Sequence, residues 1–353
     1  MIGVGSDNRF LPYLLKQKVG AVAYDLPRFL WSMRPSSRRP WIFMRNRNEE
    51  LLADKSESGV RCDWRWTTDL HITKVFPILG YKLMRRALAD FPVKLASVRP
   101  HSTKAPFVSF IIGHRGIDRL PHLLTTLRSL ASQEDAEVEC IVVDQSITPA
   151  IETLLPSWVR YVHAPGHSSS LYCRASAFNV GAKRAAGQLF VLHDNDLLVP
   201  LGYAAHLVKR FNDGFEVINL KRFIFYLSAD QTARVCSSIS LNVDEPPSSI
   251  MQNALGGGSL ALSREAYFSI GGFDESFIGW GGEDDEFWER ALTRKVWQYA
   301  YMPLVHLWHP DQPEKANHAR ASITLLAQRS VIPVQKRIEE LSARNFASVR
   351  AHE

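Results

Sequence analysis

The stretch QLFVLHDND, residues 188–196, decides the fold class of this chain. It begins as a short apolar run, which is typical of a strand buried on both faces. Leucines at helical spacing follow Asp118, and a second helical pattern ends near Gly187. Three similar apolar runs lie upstream: FVSFII at 107–112, VECIVVD at 138–144 and VRYVHA at 159–164. Alternating strands and helices predict an α/β fold, a mostly parallel central sheet flanked by helices.

The composition is that of a globular protein. The chain has 353 residues, 46% of them hydrophobic, which is ample for one large domain or two smaller ones. No apolar run approaches the roughly 20 residues that span a bilayer, and the first residues lack the apolar core of a signal peptide. Four cysteines without a C-x-x-C pair predict neither a disulfide framework nor a zinc ribbon: Cys62, Cys140, Cys173 and Cys236. We therefore expect a cytoplasmic protein.

Charge is unevenly distributed along the chain. Residues 1–104 hold 19 Lys and Arg against 9 Asp and Glu, whereas the remainder is net acidic. This contrast predicts a border after residue 104, and we expect three segments in all: a basic, helical accessory region at 1–104, an α/β domain at 105–320 and a helical tail at 321–353. Arginines and aromatics interleave at 31–48, which is compatible with a solvated basic surface or with peripheral contact to the inner face of a membrane. No nucleic-acid-binding motif accompanies the charge, so we expect no nucleic-acid partner.

Two helices are predicted outside the central segment. DLHITKVFPILGYKLMRRALADFP, residues 69–92, is amphipathic and is expected to pack against the α/β domain. VQKRIEELSARNFASV, residues 334–349, also has a helical pattern. In the first of these, the predicted inward residues are Ile72, Val75, Phe76, Leu79, Leu83 and Leu88, and the outward ones are Arg85 and Arg86.

Candidate metal ligands follow the predicted strands, where parallel sheets bind their ligands. Asp194 and Asp196 are one residue apart, so both can point the same way at the end of the strand. Paired carboxylates suit Mg²⁺ or Mn²⁺ carrying a diphosphate, although Asp-x-Asp is equally common in turns and helix caps. His306 and His309, in HLWH, would favour Mn²⁺ over Mg²⁺ because magnesium prefers oxygen ligands.

The stretch GWGGEDDEFWER, residues 279–290, raises two interpretations. As a helix start, it would place four acids in the first turn, bury Phe287, Ala291 and Leu292, and leave Glu286 and Arg290 as a solvated pair. That interpretation does not explain the tryptophan and two glycines directly before the acids. Together they would leave room for a ligand beside an apolar surface.

Five stretches in this order resemble a known family: FIIGHRG, CRASAFNVGAKRAAG, LHDNDLLVP, GGGSLALSREAYFSIGGFDESFIGWGGEDDEFWERAL and HLWH. They resemble the metal-dependent β-1,4-galactosyltransferase type of nucleotide-sugar glycosyltransferase, and the chain is similar to bacterial family 2 glycosyltransferases. The resemblance covers about residues 105–312 and implies the GT-A fold. It extends neither to residues 1–104 nor to the tail after about residue 320.

The resemblance implies a role for each matching residue. Asp196 and His309 would bind the metal, with His306 at a position where the galactosyltransferases use methionine. Asp284 would be the general base of an inverting transfer. The implied acceptor contacts are Trp280, Glu283 and Asp285. The implied donor contacts are Arg115, Asp144, Arg174, Asn179, Asp194, Gly257 and Gly258.

The expected reaction is transfer of a hexose from a UDP-sugar to a glycan or lipid-linked glycan, with Mn²⁺ or Mg²⁺ as cofactor. Galactose and N-acetylgalactosamine are the sugars that the resemblance implies. One alternative is a retaining N-acetylgalactosaminyltransferase, whose usual Asp-x-His motif differs from the Asp-x-Asp of HDND. The other is a catalytically silent module that binds sugar nucleotides or glycans.

Overall fold

The structure is a computed structural model that describes residues 10–56, 58–64, 67–100, 102–165, 171–238, 240–252, 256–279, 281–311 and 314–344. Trp280 and residues 345–349 of the predicted tail helix lie outside this part of the chain. The first segment contains α1 (Phe10–Gly20), a π-helical turn (Ala21–Asp25), α2 (Leu26–Ser32), a 3₁₀ turn (Pro40–Phe43), β1 (Leu51–Ala53), β2 (Val60–Cys62), β3 (Thr68–Asp69), α3 (His71–Val75) and α4 (Pro77–Asp90).

Strands and helices then alternate. They are β4 (Val108–His114), α5 (Leu120–Ala131), β5 (Val138–Asp144), β6 (Val159–His163), α6 (Arg174–Arg184), β7 (Leu189–His193), β8 (Leu197–Leu198), α7 (Tyr203–Asn212), β9 (Val217–Ile218), β10 (Lys221–Tyr226), α8 (Ala229–Ser237), β11 (Ser249–Gln252), β12 (Ser259–Ser263), α9 (Arg264–Ser269), α10 (Glu283–Ala291), β13 (Val296–Trp297), β14 (Met302–His306), α11 (Glu314–Ser330) and α12 (Val334–Ser342). Short 3₁₀ turns precede α5 and β6 at Ile117–Arg119 and Glu152–Leu154.

The central sheet has seven strands in the order β13-β9-β12-β7-β4-β5-β6. All pairs are parallel except those of β12 with β7 and β9. The four predicted strands are confirmed as β4, β5, β6 and β7. Every residue of β4 is buried because helices cover both faces: Phe110 and Ile112 share a core with α5, and Ile111 shares one with α6. The predicted α/β class with a mostly parallel sheet is confirmed.

A second sheet of five strands has the order β3-β11-β10-β14-β8. Its strand β14 runs parallel to β10 and pairs antiparallel with the short β8, so that His306 lies opposite Leu197. The backbone N–H of Leu307 also donates to the carbonyl of Asp196, at 2.9 Å. This pairing brings the end of β14 to the residues that directly follow β7.

The basic first segment is built into this second sheet. Strand β3 pairs with β11, and Trp41 is fully buried with its ring 6.2 Å from that of Phe223. Buried Arg222 donates from Nε to the carbonyl of Ile42 at 2.5 Å and from Nη2 to the carbonyl of Met44. The segment therefore contributes strands as well as the predicted helices, and its core is continuous with that of the following segment.

Two details of the predicted organisation change in the structure. The helix expected at 69–92 is two helices, because Pro77 lacks the N–H that a continuous helix needs at that position. Ile72 and Leu83 are buried and Arg85 is exposed, as predicted. The expected border at residue 320 falls inside α11 and therefore does not mark the start of a separate tail.

Among the described residues, no helix has both the length and the apolar character required to cross a bilayer.

Candidate active site

Three potential metal ligands meet where the two sheets adjoin. Asp196 lies between β7 and β8, while His306 ends β14 and His309 follows it. The Nε2 atom of His306 is 3.6 Å from Oδ1 of Asp196, and Nε2 of His309 is 3.6 Å from Oδ2 of the same carboxylate. One ligand atom from each residue lies within 4.8 Å of the others. The register of β8 on β14 explains how residues so distant in sequence come together.

These three side chains fit a divalent cation. Oδ1 of Asp196 is buried and has no hydrogen-bond partner among the described residues. Separations of 3.6 Å are too long for hydrogen bonds but approach the about 3 Å that neighbouring ligands keep around an ion bound at about 2.1 Å. Burial lowers the pKa of both histidines, which favours the neutral imidazole that binds metals. Burial alone would raise the pKa of Asp196, but His306 and Arg119 outweigh it and keep that pKa below its usual range.

Arg119 is a residue of this cluster that the sequence analysis missed. It ends the 3₁₀ turn before α5, and its guanidinium forms a close ion pair with Oδ2 of Asp196. The resemblance implies Arg115 instead, which is half-buried just after β4. Both arginines follow the same strand, so the sequence could have indicated a cation there without deciding which one reaches Asp196.

Arg174 connects the end of β7 with the acidic run. It is the first residue of α6, and its Nη2 lies 2.7 Å from Oδ1 of Asp194. Its Nη1 forms a close ion pair with Asp284 and lies 3.8 Å from Oε1 of Glu283. Burial would lower the pKa of Arg174, but the surrounding carboxylates raise it well above its ordinary value. A single permanent cation thus joins two motifs that are far apart in the sequence.

The acidic run begins α10, as the helix-start interpretation predicts. Gly282 precedes the helix at φ 85°, and the four acids occupy the first turn. Glu283 is buried, and burial together with the neighbouring Asp284 raises its pKa to about 7. The side chain of Asp284 is 31% exposed, so its carboxylate is accessible to solvent. The run therefore forms the first turn of α10, with Glu283 buried and Asp284 partly exposed.

A glycine turn lies against Asp284. A Cβ atom added to Gly257 would be 2.6 Å from Oδ2 of Asp284, and one added to Gly258, at φ 76°, would be 3.0 Å from Cδ1 of Leu197. Lys221, buried at the start of β10, donates from Nζ to the carbonyl of Gly256 at 3.2 Å and also to that of Ser259. Burial lowers the pKa of Lys221 to about 7. The sequence signal for this second missed residue is a lysine at the start of the run KRFIFY, residues 221–226, which forms β10.

Two expected donor contacts are buried away from any open surface. Asn179 is 1% exposed; its amide nitrogen donates to the carbonyl of Phe273 and to Glu275, and its oxygen accepts from Tyr267. With both groups occupied, Asn179 supports the packing of α6 and is corrected from a donor contact to a structural residue. Asp144 is fully buried and accepts hydrogen bonds from Ser146 and Tyr161 through its two oxygens.

The predicted burial of residues in and beside α10 is confirmed at some positions and wrong at others. Phe287 and Ala291 are buried as predicted, but Leu292 is 45% exposed, so its predicted burial is wrong. The predicted solvent exposure of the ion pair between Glu286 and Arg290 is also wrong, because both residues are fully buried. Asp285 is exposed on the first turn, and Trp280 lies outside the described residues.

Asp194 is a further carboxylate that Arg174 holds. It directly follows β7, and its Oδ1 accepts two hydrogen bonds from Arg174, at 2.7 and 3.1 Å. Burial raises its pKa to about 6, against the opposing effect of Arg174. The guanidinium of Arg174 therefore holds Asp194 and Asp284 together, and Asp196 follows Asp194 by two residues in the chain.

Two models of known protein families match the stretches of sequence that carry these residues. The family model described as glycosyl transferase family 2 matches residues 118–256, and the model described as the N-terminal domain of galactosyltransferase matches residues 239–304. The matched stretches include the Asp-x-Asp, the glycine turn and the acidic run. In these two stretches the chain is similar to glycosyltransferases.

Two curated relatives match the chain over stretches of different length. N-acetylgalactosaminyltransferase 6 of Drosophila melanogaster is 26% identical over 242 residues, 61% of this chain and 35% of the relative. Beta-1,4-galactosyltransferase 4 of Homo sapiens is 57% identical over 40 residues, 11% of this chain and 12% of the relative. The chain thus spans about a third or less of each of these two relatives.

A solved structure of GalNAc-T7 with UDP, GalNAc and Mn²⁺ is also similar. It is 15% identical, with a TM-score of 0.46, and the match covers 68% of this chain and 51% of that chain.

Proposed function

We propose that this protein transfers a hexose from a UDP-sugar to a glycan or lipid-linked glycan, with a divalent cation and with inversion at the anomeric carbon. One observation carries the proposal: Arg174 holds Asp194 at the end of β7 and Asp284 at the start of α10. One guanidinium therefore brings the motif expected to face the donor next to the motif expected to face the acceptor. Transfer requires this proximity, because the acceptor oxygen must reach the donor carbon.

Asp284 is the proposed general base. It would accept the proton of the attacking acceptor hydroxyl, for which its partly exposed carboxylate is accessible. Arg174 would hold that carboxylate in place, and Gly257 leaves the room that the close approach requires. Glu283, Asp285 and Trp280 are the proposed contacts of the acceptor sugar. On the donor side, Arg115, Asp194, Gly257 and Gly258 remain candidates, whereas Asp144 is fully buried with both oxygens hydrogen-bonded inside the protein.

Asp196, His306 and His309 would hold the cation, and Mn²⁺ fits two imidazoles better than Mg²⁺ does. When bound there, the cation neutralises charge on the diphosphate of the donor. Arg119 adds a positive charge to the same cluster. We propose galactose or N-acetylgalactosamine as the donor sugar, in keeping with the names of the two curated relatives.

The proposed function is tested by measuring UDP release from a panel of UDP-sugars, with Mn²⁺, with Mg²⁺ and with a chelator. We expect turnover with one sugar, dependent on metal, and a fall of about 100-fold or more in Asp284→Asn, the size typical of a lost general base. The matched control is Asp244→Asn, because the side chain of Asp244 is 63% exposed in a loop. Equal activity of Asp284→Asn and wild type would contradict the assignment of the base.

Calorimetry tests the metal ligands separately from turnover. We expect wild type to bind Mn²⁺ and Asp196→Asn to bind it at least about tenfold more weakly, because the variant loses the one carboxylate of the cluster. Unchanged binding in Asp196→Asn would reject this cluster as the site. UDP binding without metal dependence, and no turnover with any sugar or glycan, would instead support the silent binding module.

A retaining reaction is the second candidate function, and the similarity to N-acetylgalactosaminyltransferase 6 is the observation that favours it. The two reactions differ in the configuration of the new anomeric centre. Proton NMR of the product separates them through the coupling at that centre. A product with the donor's own configuration would replace the inverting proposal by the retaining one.

A further inference from the structure

The first helix presents an apolar face that nothing in the described part of the chain covers. Helix α1, the π-helical turn and α2 follow one another without a break from Phe10 to Ser32, and side chains are described from residue 15. One face packs on the protein through Ala21, Asp25, Phe29 and Ser32, all buried. The other carries Leu15, Val19, Val22 and Leu30, which are 64%, 60%, 48% and 60% exposed.

The exposed residues form one row. They are spaced three or four residues apart, with half-buried Leu26 completing the row between Val22 and Leu30. This is the spacing of a single helical face, and a soluble surface normally scatters its apolar side chains instead. Such a row indicates a surface that is covered by something else.

Positive charge surrounds this face. Exposed cations lie on the helix and directly after it: Lys16, Lys18, Arg34 and Arg38, with half-buried Arg28 between them. The one acidic residue from 15 to 48 is Asp25, which is buried and pairs with Arg47 at 2.8 Å. A helix with an apolar row and flanking cations matches the chemistry of an anionic lipid surface, acyl chains below and phosphate groups above.

We propose that the helix Phe10–Ser32 lies in the plane of an anionic membrane surface, with Leu15, Val19, Val22 and Leu30 inserted among the acyl chains. This orientation goes beyond the sugar-transfer chemistry and does not depend on it. The cations favour lipid over an apolar protein partner, because they would surround a protein contact with uncompensated charge. The buried face of the helix stays on the protein, so insertion requires no unfolding.

Flotation of the full chain with vesicles tests the proposal. The vesicles contain either phosphatidylcholine alone or equal parts of phosphatidylcholine and phosphatidylglycerol. We expect wild type to float with the anionic vesicles, and the variant L15S/V19S/V22S/L30S to lose about tenfold or more of its partition coefficient. A charge variant, K16E/K18E, should also bind more weakly, and added salt should reduce the difference between it and wild type.

The matched control is I147S/L154S/V331S, which removes exposed apolar side chains elsewhere, at 68%, 49% and 82% exposure. It should float like wild type. Wild type that fails to float with anionic vesicles, or a row variant that floats equally well, overturns the proposal. Loss of a wild-type dimer in the row variant, without flotation of wild type, would overturn it in favour of a contact between two copies of the chain. Far-UV circular dichroism of the same samples shows whether each variant is folded.

Discussion

Glu283 is an ionisable residue held in an environment that disfavours its charge. A carboxyl whose pKa is higher in the folded chain than in the unfolded chain binds its proton more tightly when folded. The folded state therefore loses stability as the pH rises from about 4.5, the ordinary pKa of Glu, to about 7, the raised value. Glu283 thus lies beside Arg174 and Asp284 although its ionisation lowers the stability of the folded state. This is consistent with a role in the candidate active site.

We predict that Glu283→Gln removes this loss. Urea unfolding at about pH 8, in chelator, should show the variant more stable than wild type by on the order of 2 kcal/mol, with the advantage absent near pH 4.5. The control Glu245→Gln, whose side chain is 50% exposed, should unfold like wild type at both pH values. A variant less stable than wild type at the higher pH would show that ionised Glu283 stabilises the fold through Arg174.

At Gly257, absence of a side chain is itself a requirement of the pocket. We predict that Gly257→Ala lowers UDP release by about tenfold, because a Cβ 2.6 Å from Oδ2 must displace the Asp284 carboxylate. Gly202→Ala is the control, since its Cβ would have an ordinary contact of 3.7 Å with His206. Unchanged turnover in Gly257→Ala would show that the position of Asp284 is not critical.

At the scale of single elements, α10 is held by buried charge. Glu286 accepts hydrogen bonds from Arg290, within the helix, and from Arg337 of α12 at 3.0 Å. Arg290 also donates to the carbonyls of Ile270 and Gly272. The helix that carries Asp284 is thereby fixed to the turn before it and to the last helix of the described chain.

We predict that Glu286→Gln lowers the free energy of unfolding by about 3–5 kcal/mol, because it leaves buried Arg290 without its counter-charge and leaves Arg337 with that of Glu289 alone. Glu289→Gln is the matched control: Glu289 also pairs with Arg337 but is 32% exposed, so its loss should cost about 1 kcal/mol or less. Urea unfolding measures both. Equal effects of the two substitutions would show that burial does not govern this network.

The same helix shows where sequence patterns succeed and fail. Its start could be predicted because a glycine turn and a run of acids interact locally with the helix dipole. The burial of Glu286 and Arg290 could not, since spacing within a helix is the same for a solvated pair and a buried one. The deciding partner, Arg337, comes from a distant helix. Similarly, β4 to β7 were predicted from their apolar runs, whereas the contact of Arg119 with Asp196 depends on the geometry of a turn.

At the scale of the whole molecule, the basic first segment and the transferase fold share one core. Trp41 is fully buried, and its indole N–H donates to Asp90 at 2.7 Å while its ring packs on Phe223. The uneven distribution of charged residues predicted a border near residue 104. Charged side chains lie mostly on the surface, so their distribution does not reveal the buried apolar contacts that join the two segments. Strand β3, only two residues long, gives too weak a pattern to be recognised in sequence.

We predict that Trp41→Ala lowers the free energy of unfolding by about 3–5 kcal/mol while leaving a single transition. For each of the two proteins, the urea unfolding curves measured by far-UV circular dichroism and by tryptophan fluorescence should coincide. Trp31→Ala, at a site 44% exposed, should cost much less. Two separate transitions would indicate that residues 1–104 unfold independently of the α/β domain.

The pairing of β8 with β14 has a consequence for the order in which the protein matures. As the chain leaves the ribosome, Asp196 emerges long before His306 and His309, and the three meet only when β14 has docked beside β8. A nascent or truncated chain that ends before Met302 would lack two of the three ligands. Competence for metal would therefore arise late in synthesis, after most of the central sheet is already available.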